Sequence, residues 1–192
     1  MEEFKTWFFI GFDHILNYQA LDHILFILAL VVIYDFSMIK KIIFLITAFT
    51  IGHSITLALS ALEVISYDQR MIEFAIPLTI VITSLSNIIN RKNNSIKFVS
   101  ANYFIALVFG LIHGLGFANY LKALLFKRNI ILELFSFNIG IEVAQIIVVL
   151  AFLFLSFFIS KLMFKKRENW VLFVSSAIFG ISLMLTLNAK FW

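Results

Sequence analysis

A single all-α bundle of transmembrane helices is the fold this sequence predicts, and three observations predict it. The 192 residues are 62% hydrophobic and only 14% charged, with a mean hydropathy of +1.01; a soluble globular domain carries about 25% charged residues. Apolar runs of about 18 residues or more, the length of a bilayer crossing, recur along the whole chain. One proline and 7 glycines leave those runs free to be helical, whereas a transmembrane barrel needs short alternating segments and frequent turn residues. No stretch between the runs is long enough for a separate soluble core, so residues 1–192 read as one integral membrane domain.

Charged residues divide the chain into its elements. Residues 1–20 form an N-terminal interfacial segment, helical over 4–16, and residues 21–189 form the bundle. The first span covers 21–33 and ends at Asp35. Lys40 and Lys41 introduce a second, which runs to about residue 62. The third, 71–89, stops at Asn90, Arg91 and Lys92; the fourth, from about 98 to 121, stops at Lys122, Lys127 and Arg128. The fifth, 130–160, is bounded by Lys161, Lys165, Lys166 and Arg167, and the last covers about 170–187. That makes six membrane helices, or seven if the N-terminal segment also crosses. The first residues, MEEFKTW, are acidic and lack a basic leader region, so no cleaved secretory signal is expected.

Lys and Arg favour the cytoplasmic side. The loops at 35–41, 90–97 and 161–168 are basic, while the N-terminal stretch and the loop at 63–70 are neutral to acidic. The expected orientation therefore has both termini outside a bacterial inner membrane, with only the basic loop at 122–133 against it. In this orientation the polar candidates of the spans fall between the bilayer centre and the outer surface.

Ionisable side chains at bilayer depth are costly and mark pathways or sites. The chain has four histidines: His14 and His23, each preceded by an acid (Asp13, Asp22); His53 in FTIGHSITL; and His113 in FGLIHGLGFA. No cysteine is present, so disulfides, thiolate ligands and thiol nucleophiles are excluded. Imidazole and carboxylate together suit a divalent transition metal, and a carboxylate beside an imidazole also orients it. Asp22 and His23, about 100° apart on a helix, are poorly placed to chelate as a simple pair. Thr47, Thr50 and Ser54 share a helical face next to His53. Pro77 frees the carbonyl of Glu73, which makes Glu73 a secondary oxygen candidate, whereas Glu63 reads as a solvated loop residue. Asn138, Glu142 and Gln145 lie on one face of the fifth span, either as ligands or as an interhelical hydrogen-bond staple. Every glycine except Gly180 lies near a histidine or Glu142, which suggests close backbone packing around one site.

With those motifs in order over residues 11 to 145, the chain resembles the HupE/UreJ family of small membrane proteins. The resembling stretches are DHILF, FTIGHSITL, the 73–87 segment, FGLIHGLGFA and FNIGIEVAQ. The resemblance implies nickel or cobalt permeases or metal-acquisition accessories, and it carries His14, Asp22, His23, His53, His113 and Glu142 over as metal residues. Asp13, Glu73, Asn138 and Ser54 are secondary. Two departures are Ala20, where the family tends to have glycine, and a longer interval from His14 to Asp22.

The leading expectation is therefore binding and transport of a divalent transition-metal ion of the nickel, cobalt, zinc, iron or copper type. An intramembrane metal-dependent hydrolase at the same residues is the alternative, without an HExxH motif or nucleophile elbow to support it. A structural subunit whose polar residues are staples is the third. The expected partners are the lipid bilayer and the metal ion, not nucleic acid; a homo-oligomer or accessory subunits are left open.

Overall fold

The structure, a computed structural model, describes residues 1–17, 21–92, 96–124, 130–164 and 166–189, with side chains at 96–101 left aside. Ala20, Lys127, Arg128 and Lys165 therefore lie outside the described residues. Every regular element among those described is helical: α1 Glu2–Leu16, α2 Leu21–Val31, a 3-10 turn Phe36–Met38, α3 Ile39–Ala61, α4 Gln69–Asn90, α5 Ile96–Leu124, α6 Ile130–Met163 and α7 Arg167–Asn188. The chain is an all-α, multi-pass membrane protein.

Five helices, α3 to α7, are long and apolar enough to cross a membrane on their own. A span of 11 residues is only about 16 Å long against a hydrocarbon core of about 30 Å, so α2 alone does not cross. Counted as one span, the pair α1 and α2, bent by 72° at the break between them, makes a sixth. Packing shows that the two halves advance in the same sense. Trp7 bonds Glu133, Gly11 meets Phe137 and Phe12 meets Gly140, so α1 runs parallel to α6. His23 lines a cavity with Pro77, and Asn87 Nδ2 donates to the Ala29 carbonyl at 2.6 Å, so α2 runs parallel to α4.

Two seams hold the bundle by backbone contact. Along α3 and α5, a Cβ on Gly52 would enter the Leu107 carbonyl, and one on Gly110 the Phe49 carbonyl. Gly11 and Gly140 give α1 and α6 the same intimacy. In lipid, where helices gain little from apolar burial, such close approach supplies dispersion contacts that larger side chains would prevent. Gly180 has open space around it, so six of the seven glycines sit at helix contacts.

The end of α3 is closed by a Schellman motif. Val64 N–H donates to Leu59 O at 2.9 Å and Glu63 N–H to Ser60 O at 3.0 Å. That geometry needs a left-handed residue, and Glu63 supplies it with φ of 58°, a conformation that favours glycine. Glu63 is exposed, as the sequence suggested, and its carboxylate has no part in the motif. Glu63→Gly should therefore raise stability by about 0.5–1 kcal/mol, measured as a higher midpoint of thermal unfolding in detergent. A lower midpoint would show that the side chain matters more than the strain.

Candidate metal centre

Three histidines from three helices converge at the break between α1 and α2. His14 comes from the last turn of α1, His23 from the first turn of α2, and His53 from the C-terminal half of α3. One ligand atom from each lies within 4.8 Å of the others. The Nε2 atoms of His14 and His23 are 3.1 Å apart. Two imidazoles bound tetrahedrally at about 2.0–2.1 Å from one ion would stand about 3.3–3.4 Å apart.

Hydrogen bonds fix which nitrogens are free. His23 Nδ1 lies 3.2 Å from Asp22 Oδ1, and a carboxylate accepts, so Nδ1 carries the proton and Nε2 presents its lone pair toward His14. Asp22 thus acts through His23 rather than beside it, which resolves the awkward spacing of adjacent residues. His113 Nδ1 donates to the Phe109 carbonyl at 2.8 Å, which leaves its Nε2 bare and buried without a partner. Its ring centroid is 5.6 Å from that of His23. His53 is fully buried, and neither of its nitrogens has a hydrogen-bond partner.

Aromatic rings wall the cluster. Phe117 lies 4.0 Å from the His14 ring and stacks on Phe137 at 5.2 Å, while Phe26 and Phe49 contact His113. A cavity of about 420 Å³ leads to it, lined by His14, Asp22, His23 and His113 together with Glu73 and Pro77 of α4.

The remaining expected residues are dispersed. Glu142 does not join the triad: its Oε1 accepts from Thr47 Oγ1 at 2.7 Å across the seam between α3 and α6. Thr50 donates to Gln145 Oε1 at 2.9 Å in the same seam, so Glu142 and Gln145 both pair with hydroxyls of α3. Asn138 donates to the Leu134 carbonyl of its own helix, and Ser54 to the Thr50 carbonyl. Asp13, one residue from His14, is exposed on another face of α1. Glu73 stands at the cavity mouth, where it accepts from Gln69 Nε2 at 3.2 Å.

Sequence reasoning missed the polar network over that mouth. Tyr67 donates to Asn119, Asn119 to Gln69, and Gln69 also to the Gly116 carbonyl. Residues at helix ends read as solvated caps, and only their mutual pairing across α4 and α5 distinguishes them. Asp68 in the same loop caps α4, and the Arg70 backbone N–H donating to it holds its carboxyl below the usual carboxylate range.

A family model described as HupE / UreJ protein matches residues 1–189, nearly the whole chain. No curated protein and no solved structure matches it.

Proposed function

The chain belongs to the HupE/UreJ family, and on that footing we propose that it binds a divalent transition-metal ion at His14, His23 and His53 and carries it across a bacterial inner membrane. The observation that carries this reading is His53. A buried donor or acceptor without a partner costs about 1–3 kcal/mol, and His53 holds two such nitrogens next to two further imidazoles. A staple would have found a partner; a ligand waits for an ion.

The donor set supports an ion of nickel, cobalt or zinc character over magnesium or calcium, which prefer oxygen ligands. His113 is the natural fourth donor, and Asp22 holds His23 in the tautomer that binds. The ion arrives through the cavity past Glu73, from the side on which α4 begins. By the distribution of lysine and arginine, that side is the outer one, with both termini there. Nickel and cobalt are the cargo suggested by the family. A hydrolase that used a serine nucleophile has less support, because Ser54 donates to the Thr50 carbonyl.

Cells expressing the protein should accumulate nickel or cobalt above control cells. That accumulation should disappear with His53→Ala. With Asp22→Asn it should require about 10–100-fold more external metal, the usual cost of losing the partner that orients a ligating histidine. Metal that binds the purified protein in stoichiometric amount without any accumulation in cells would overturn transport and leave a fixed metal centre.

A further inference from the structure

The end of the bundle away from the histidines carries a second cavity, of about 670 Å³. It lies between the C-terminal part of α6, the start of α7 and the connection from α2 to α3. Its roof is tied down: the Arg167 guanidinium donates to the Tyr34 carbonyl and pairs with Asp35 at 3.5 Å. The walls are mixed in chemistry. Polar Ser156, Ser160, Lys161 and Arg167 alternate there with apolar Leu153, Phe157, Phe164 and Trp170, interleaved along one face of α6 and the start of α7.

Charge and shape select the occupant. Among the described residues that line it, Lys161 and Arg167 stand against one acid, Asp35, so positive charge is in surplus. Asp35 is already paired with Arg167, and Lys166 with Glu168 at 3.8 Å, whereas Lys161 Nζ rests 4.0 Å over the Phe157 ring, a cation directly beside apolar lining. The Trp170 indole N–H donates to Ser156 at 3.1 Å, which anchors an aromatic at the level where the membrane interface begins. A metal ion finds no imidazole here. A free anion would gain nothing from the four apolar residues. A molecule with one anionic group and a hydrocarbon chain satisfies both kinds of lining residue.

We infer that this cavity holds an anionic glycerophospholipid, its phosphate at Lys161 and Ser160 and an acyl chain against Phe157 and Phe164. The inference is independent of the metal reading, since the residues involved belong to the other end of the bundle. One basic side chain near a membrane surface weighs about fivefold in affinity for an anionic lipid.

Native mass spectrometry of the full chain, released from nanodiscs of equal phosphatidylglycerol and phosphatidylcholine, tests it. One phosphatidylglycerol should be retained about fivefold over phosphatidylcholine, and Lys161→Glu should bring the two to parity without lowering the unfolding midpoint in lipid-free detergent. In a second measurement, added phosphatidylglycerol should raise the midpoint of the wild-type protein and inorganic phosphate should not. Equal retention of both lipids, or retention untouched by Lys161→Glu, overturns the assignment. An equal rise with inorganic phosphate overturns it too, by showing a site for free anions.

Discussion

Purified His53→Ala protein should emerge from incubation with nickel, cobalt or zinc, followed by gel filtration, with almost no bound metal, whereas wild type should hold about one equivalent. Structural metal sites release about 10–16 kcal/mol on binding, so one ligand of three or four is worth about 3–5 kcal/mol, or 10²- to 10⁴-fold in affinity. The same substitution should leave the fold intact, which makes it diagnostic. In the metal-free protein His53 buries two nitrogens without partners, so its removal relieves a penalty of about 1–3 kcal/mol each, against the cost of the space left behind. Elemental analysis and thermal unfolding on the same sample separate the outcomes. A variant that unfolds early yet still retains full metal when folded would place His53 in the packing and not in the site.

The second large effect is expected from the glycine seam. Gly52→Val puts a branched side chain where a single Cβ already enters the Leu107 carbonyl and the Leu111 amide. Both obstacles are backbone, so neither can rotate away, and α3 must separate from α5. The cost should be about 3 kcal/mol or more. Metal binding should fall with it, because His53 adjoins Gly52 and His113 lies one turn from Gly110. Gly180→Ala is the matched control: nothing lies within 4 Å of its Cβ position, and alanine is the better helix former by about 1 kcal/mol. Unfolding midpoints of the two variants should move in opposite directions. A midpoint for Gly52→Val equal to that of wild type would mean that the two helices are not held by this approach.

The long helices were legible because hydropathy reports solvent preference directly, and 71–89 or 170–187 needed no other signal than charges at each end. The first crossing was not. A run from 21 to 33 looks like a short span, and 4–16 like a surface helix; only tertiary packing against α4 and α6 joins them into one bent path. The long interval from His14 to Asp22 belongs to the same misreading, since it contains the break and helical spacing does not govern it. At the site, buried histidines in oil announced themselves by cost alone. Glu142 announced itself in the same way, but sequence could not say that the Thr47 hydroxyl would meet it across the α3–α6 seam. Partner identity across helices is a property of the assembled seam, which a single strand of residues does not contain.

The bent crossing also gives the cluster a mechanical asymmetry. His53 and His113 ride on α3 and α5, continuous helices locked backbone to backbone, and form its stiff wall. His14 and His23 ride on rods of 15 and 11 residues that share no unbroken hydrogen-bond ladder, since Asn17 ends α1 in an extended conformation. An ion held by His14, His23 and His53 would join all three helices through side chains. It would tie together, across the break, two rods that the backbone leaves without a shared ladder.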